Sequence, residues 1–192
     1  MGTADYIRES FIQEYKERSK ELRLRIAGWR KEPPVKRIEK PTNIARARRL
    51  GYRDKQGVVV IRVRVRKGLS KRRKIRVGRK PSKMGRFYAY RKSSQAIAEE
   101  RANRKYSNCE VLNSYYVGED GEYKFYEVIL LDRAHPSIAK DPIFSKIIRQ
   151  RGRAFRGLTS AHRKNRGLMK KGFGAEKNRP SVRSKQRNIL RI

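Results

Sequence analysis

The residues best equipped for chemistry in this sequence are its cations, and they come in clusters. Arg46, Arg48 and Arg49 crowd one short segment, and Arg62, Arg64 and Arg66 alternate along another. Lys71, Arg72, Arg73 and Lys74 form an unbroken run, followed by Arg76, Arg79, Lys80 and Arg86. Farther on stand Arg153, Arg156, Arg163, Lys164, Arg166, Lys170 and Lys171, with Phe155 among them. A solvated face explains any one of these residues, but not the clustering. From Lys55 to Ala98 there are sixteen Lys and Arg and no acid. A guanidinium is a planar fork that grips two phosphate oxygens at once. Rows of such groups neutralise phosphate, which gives affinity and position without reading base sequence.

Other chemistries find little support. A general acid–base site or an activated nucleophile needs a positioned His or Cys. The chain has His135, next to Pro136, His162, within a basic stretch, and Cys109. Nothing around them suggests a catalytic site, and the two histidines are expected at the surface or against RNA. Three such residues also fall short of the four ligands of a structural zinc site, so no metal and no cofactor are expected. Gly172-Phe173-Gly174 follows no strand and is no nucleotide fingerprint. Glu119, Asp120 and Glu122 surround a turn glycine and read as a solvated hairpin tip.

The whole composition agrees with the clusters. There are 53 Lys plus Arg against 18 Asp plus Glu, a formal net charge of +35 on 192 residues. Such an excess repels itself and calls for a polyanionic partner. Hydrophobic residues make up 36%, below the roughly 45–50% of ordinary domains. One compact domain is expected, with segments that order on a partner. No apolar run nears the roughly 18 residues of a membrane span. The N-terminus lacks the basic and apolar regions of a signal peptide, so none is expected. A lone cysteine fits a reducing compartment. Phe87, Tyr88, Tyr90, Phe155 and Phe173 are candidates to stack on unpaired bases, which favours RNA. For the first three, a place in the core is an equal alternative.

These groups need elements to hold them. Ile7, Phe11, Tyr15, Leu22, Ile26 and Trp29 recur at helical spacing, predicting one amphipathic helix over 4–29. Pro33, Pro34 and Pro41 make a stiff connector. Thr42 is a candidate cap for a short helix from Asn43 to about Leu50, stopped by Gly51. Between Gly57 and Gly68 a strand puts Val59, Ile61, Val63 and Val65 on one face. Its other face carries Arg62, Arg64 and Arg66, about 6.7 Å apart, pointing away from the core. Residues 67–92 read as a long basic loop ordered by RNA. Ser93 or Ser94 opens a helix over 95–106, with Ala96, Ile97, Ala98 and Ala102 available for packing. Strands Cys109–Val117 and Tyr123–Leu131 join through Gly118-Glu119-Asp120-Gly121 as a β-hairpin. The second is nearly continuous in apolar residues and is expected to lie centrally. A short helix is expected at about 142–149, after which core material ends.

The predicted class is α+β: a small mixed domain with an antiparallel β-hairpin, an Arg-faced strand and packing helices. Residues 1–148 form the RNA-binding domain, and 149–192, with fifteen Lys and Arg and one acid, a basic C-terminal extension. Residues 99–132 hold eight acids and four Lys or Arg. That hairpin region is expected to face away from RNA, toward solvent or a basic neighbour.

Several stretches carry a family resemblance. They include Lys40-Pro41-Thr42 with Ala45-Arg46-Ala47-Arg48-Arg49-Leu50-Gly51-Tyr52, Lys55-Gln56-Gly57-Val58, and Ala98-Glu99-Glu100-Arg101-Ala102. Val111-Leu112-Asn113-Ser114-Tyr115-Tyr116-Val117-Gly118-Glu119-Asp120 runs into Tyr123-Lys124-Phe125-Tyr126-Glu127-Val128-Ile129-Leu130. Last come Arg156-Gly157-Leu158-Thr159-Ser160-Ala161 and Arg166-Gly167-Leu168. In this order the chain resembles the archaeal–eukaryotic large-subunit ribosomal protein family known as fifteen-e, with residues 173–192 matching least. The resemblance implies a non-catalytic subunit embedded in large-subunit ribosomal RNA beside neighbouring ribosomal proteins, in the cytoplasm. It implies a small α/β globule with basic extensions, no membrane partner and no small-molecule substrate. The absence of the His-rich and Trp-rich segments associated with eukaryotic members points to an archaeal source. Two rival classes predict different features. A DNA-compacting protein would bind duplex DNA as tightly as ribosomal RNA, and an RNA-modifying enzyme would need a cofactor pocket and a positioned acid or base.

Overall fold

The computed structural model of the protein describes residues 2–73, 78, 81–89 and 92–169. Its frame is a four-stranded antiparallel sheet in the order β1-β2-β6-β5, made of β1 (Val35–Ile38), β2 (Val58–Arg66), β5 (Cys109–Glu119) and β6 (Tyr123–Asp132). A separate ribbon pairs β3 (Ser70–Lys71) with β4 (Phe87–Tyr88). The helices are α1 (Thr3–Glu17), α2 (Lys20–Lys31), α3 (Ile44–Arg49), α4 (Ser94–Lys105), α5 (Pro136–Ala139), α6 (Phe144–Ile148) and α7 (Ser160–Asn165). The α+β class and the antiparallel hairpin agree with the sequence reading, and β6 lies inside the sheet as its apolar run predicts.

Register sets two faces. Val59, Ile61 and Val63 pair with Leu130, Val128 and Tyr126, and their side chains form one face. Helix α4 closes it with Ala98 and Ala102, both fully buried. Alanine there lets the helix backbone approach the sheet closely, so the larger strand side chains fill the gap. Ser93 caps α4 by accepting from the Ala96 amide at 3.2 Å. The opposite face is covered as well. Leu22, Ile26 and Trp29 of α2 pack on Phe125, while Ala47 of α3 packs on Tyr115 and Ile129.

Several elements differ from the sequence reading. The single helix over 4–29 is two, broken at Arg18 with φ 48°. Ser19 restarts the chain by accepting from the Leu22 amide at 3.2 Å. Hydrophobic periodicity runs across the break and so hides it, whereas Ser19 as a cap is a legible signal. Asn43, not Thr42, caps α3, accepting from the Arg46 amide at 2.8 Å. Thr42 is occupied by Glu127, to which its amide donates at 3.0 Å and its hydroxyl donates as well. The proline connector contains the edge strand β1, which follows Pro34 directly. A proline preceding an edge strand obstructs no ladder bond. Among its described residues, the loop at 67–92 carries the β3–β4 ribbon and a 3-10 turn, Pro81–Lys83. Core material does not end at 148, because Ala154 is fully buried beneath the sheet face that carries α4.

Gly57 shows how tightly β2 is seated. Its φ is +88°, and a Cβ there would lie 2.6 Å from Ile138 Cγ1 and 2.9 Å from His135 Cβ. Only glycine combines that backbone with that contact. His135 is the N-cap of α5, its Nδ1 accepting from the Ser137 amide at 3.2 Å. Cys109 sits in the main core, where burial pushes its thiol up to about 11. A thiol so protonated is a packing group, not a nucleophile.

Candidate nucleic-acid interface

Helix α3 presents its arginines by simple periodicity. Ala45 and Ala47 turn inward and are buried, which leaves Arg46, Arg48 and Arg49 exposed. None of the three is in an ion pair among the described residues. Tyr52 folds back beneath the helix, its amide donating to Ala47 O at 3.0 Å.

The β2 arginines are not the free row that alternation predicts. Helix α2 lies over that face. Arg62 donates to Glu32 at 2.9 Å and stacks on Trp29, with its guanidinium carbon 4.4 Å from the ring centroid. Burial alone would raise the Glu32 carboxyl, but hydrogen bonds from Lys36 and Arg62 outweigh it and hold the pKa low. Arg64 stacks on Tyr123 at 4.7 Å and donates to the Arg30 carbonyl. Arg66, at the strand end, is exposed. A strand pattern states which residues share a face, but not what covers that face.

The ribbon presents cations against aromatic rings. Arg72 lies over Tyr88 at 3.9 Å and Lys71 over Phe87 at 5.9 Å, while the Arg72 amide donates to Arg86 O at 2.9 Å. Lys71, Arg72, Arg73 and Arg86 are exposed, and Phe87 is 56% exposed. Phe87 therefore lies outside the core. Lys74, Arg76, Arg79, Lys80, Tyr90, Lys170, Lys171 and Phe173 lie outside the described residues.

Past residue 148 the chain is held by buried acids. Glu110 accepts from the Gly152 amide at 2.8 Å and the Arg153 amide at 3.4 Å. Arg153 then donates to Val111 O at 2.6 Å and Leu112 O at 3.1 Å, so its guanidinium is engaged inside the fold. Glu99 accepts from Ser114 Oγ and Thr159 Oγ1, both at 2.5 Å. His162 is buried, not at the surface as expected. Its Nδ1 faces Glu99 and its Nε2 faces Glu100, each at 3.1 Å. Two carboxylate neighbours suit the doubly protonated ring. The Glu99 hydrogen bond raises the His162 pKa against the opposing effect of burial. Burial pushes Glu100 up, yet bonds from Lys92 and His162 bring it below its usual value. From this anchor Arg156, Arg163 and Lys164 extend outward as exposed cations, Arg166 is exposed but donates to the Gly157 carbonyl at 3.2 Å, and Phe155 is 49% exposed.

The acids and the cations thus part company. Among the described residues, the buried carboxylates are Glu99, Glu110, Glu127 and Asp141, and no Lys or Arg is buried. Asp141 takes Arg53 at 3.0 Å and Lys55 at 3.3 Å. At the hairpin tip Glu119 pairs with Lys67 and Asp120 with Arg30 and both are half-buried, whereas Glu122 is exposed. The tip is therefore more engaged than a purely solvated turn.

The fold gathers some cationic groups and separates others. Helix α7 packs on α4, and the Ser93 amide donates to Asn165 Oδ1 at 3.2 Å, which brings the extension to the base of the ribbon loop. The α3 arginines lie on the other face of the sheet. The anchoring role of Glu99, Glu110 and His162 was not read from sequence, where the two glutamates counted only toward the acid-rich stretch 99–132. The family model described as Ribosomal L15 matches residues 2–185, so the chain belongs to this family of cytoplasmic structural proteins of the large ribosomal subunit.

Proposed function

We propose that the protein binds large-subunit ribosomal RNA through its exposed arginines and lysines and screens phosphates where RNA segments pack together. The observation that carries this reading is the sorting of charge among the described residues: carboxylates are buried inside, while exposed guanidiniums such as those of Arg46, Arg48 and Arg49 are in no ion pair. Burying an acid is expensive unless it is fully hydrogen-bonded. Here the acids do bond, and they hold basic segments in place without covering the outer cations.

The contacting groups in this reading are Arg46, Arg48 and Arg49 on α3, Arg66, Lys71, Arg72, Arg73 and Arg86 at the ribbon, and Arg156, Arg163, Lys164 and Arg166 on the extension. The loop cations Lys74, Arg76, Arg79 and Lys80 and the tail residues Lys170 and Lys171 belong to the same set. Arg62, Arg64 and Arg153 support these surfaces from within, their guanidiniums being already engaged. Residues 1–148 serve as the domain and 149–192 as a basic extension whose first part is pinned by Glu99 and Glu110. Neighbouring ribosomal proteins are further partners.

The test is the salt dependence of binding by the full chain to large-subunit ribosomal RNA. Each neutralised phosphate contributes roughly 0.7–0.9 to the slope of log affinity against log salt. Replacing Arg46, Arg48 and Arg49 together by alanine is expected to lower that slope by about 2 to 3. An unchanged slope would remove α3 from the interface. Binding to duplex DNA as tight as to ribosomal RNA would favour a DNA-compacting role instead.

A further inference from the structure

Helix α1 is amphipathic but buries none of its residues. It stands beside α3, and between α1, α2 and α3 runs a groove of about 760 Å³. Its walls combine two kinds of side chain. Phe11, Tyr15 and Tyr116 line it with aromatic surface, and Trp29 forms part of the lining. Tyr15 meets Tyr116 edge to face at a centroid distance of 5.9 Å, their hydroxyls in contact. Arg8, Lys16, Arg46 and Arg49 line the same groove and are in no ion pair among the described residues. The lining acids are spoken for: Glu14 pairs with Arg25 at 3.1 Å, and Asp5 accepts from the Gly2 amide at 3.2 Å.

We propose that this groove receives unpaired nucleotides of RNA, bases against the aromatic side chains and phosphates on the arginines. The inference rests on the RNA-binding reading above and assigns to it a site for single strands. A duplex keeps its bases stacked inside, so aromatic walls gain little from it, whereas unpaired bases expose both faces. A purely apolar partner would leave four cations to be desolvated without compensation. Phosphates supply that compensation. The α3 arginines then serve twice, Arg48 outward and Arg46 and Arg49 along the groove.

The chain has a single tryptophan, and it lines the groove, so the protein carries its own reporter. The experiment titrates the full chain with a single-stranded oligouridylate and with an RNA duplex carrying the same number of phosphates, following Trp29 emission and affinity. The expected result is a saturable emission change with the single strand only. The Phe11→Ala, Tyr15→Ala double variant is expected to lose about ten-fold or more in single-strand affinity, with duplex affinity changing less than about two-fold. Neither residue is buried, and circular dichroism verifies the fold. Arg8→Glu, on the exposed helix, provides a second variant and is expected to weaken the single strand preferentially. Equal losses on both RNAs, or single-strand binding indifferent to these variants, would overturn the groove while leaving the cationic surface intact. Failure of the unaltered chain to bind either RNA would overturn the RNA-binding reading itself. Binding of an apolar peptide with no competition from oligouridylate would assign the groove to a protein partner and sink the proposal.

Discussion

At the scale of single residues, the fold turns on polar groups held by partners distant in sequence. His162 carries a pKa raised above 6.5 by Glu99. A raised imidazole pKa means that its contribution to stability is complete below about pH 6.5 and is lost as pH climbs through the folded value. Glu100 has the opposite sign: its carboxyl is lowered from 4.5, so its contribution is present above that pH and lost on acidification. Thermal melts from pH 5 to 9 are expected to show a decline on the alkaline side. His162→Gln should flatten that decline, and an identical profile in the variant would exclude the imidazole as its source. Arg62 is a second such residue. Its charged hydrogen bond to Glu32 and its stack on Trp29 make Arg62→Ala destabilising by about 2 kcal/mol. The same substitution is expected to leave the salt slope of RNA binding unchanged, unlike substitution of the α3 arginines, and paired denaturation and binding series would distinguish the two effects. Gly57→Ala combines a positive φ with a contact of 2.6 Å. It is expected to cost about 1–3 kcal/mol, read from urea midpoints.

At the scale of elements, the most consequential feature is how the segment after residue 148 is fastened. Glu110 receives two successive amides, from Gly152 and Arg153, and Glu99 receives Thr159 and the ring of His162. Backbone amides that lose a buried acceptor lose about 1–3 kcal/mol each. Glu110→Ala should therefore loosen the segment 150–165 ahead of the sheet. Limited proteolysis is the direct measurement, with cleavage between Arg149 and Arg166 accelerating while β5 and β6 stay intact. Simultaneous loss of the whole domain would mean that Glu110 supports the sheet instead. The α1–α2 break belongs to the same scale. Arg18 takes a left-handed conformation that costs a non-glycine residue about 1 kcal/mol. In return Ser19 caps α2, which can then seat Leu22, Ile26 and Trp29 on Phe125.

At the scale of the molecule, the governing quantity is charge. A net +35 on 192 residues must be tolerated by a fold whose buried charged side chains are mostly acids. Self-repulsion among the exposed cations opposes compaction, and salt or a polyanion relieves it. The free protein is therefore expected to gain thermal stability as ionic strength rises, while its affinity for RNA falls. Melting curves and binding isotherms across one salt series would reveal both trends, and a free protein that softens with added salt would contradict the sorting of charge described here.

Much of this was legible in the sequence because its signals are local. Alternation marked β2, the apolar run marked β6, the Ser93-Ser94 pair announced α4 without saying which serine caps it, and clustering marked the exposed arginines of α3. The family was legible too, from ordered stretches along nearly the whole chain. What remained hidden depends on partners distant in sequence. Arg62 reads as one of three outward arginines until α2, from much earlier in the chain, is found lying across that face. Thr42 reads as a cap until Glu127 takes it, and His162 reads as a surface residue until two glutamates of α4 close on it. Periodicity specifies a face and composition specifies a charge. Only tertiary packing decides which faces are covered and which charges spend themselves on one another, because burial and ion pairing are set by elements that meet in space.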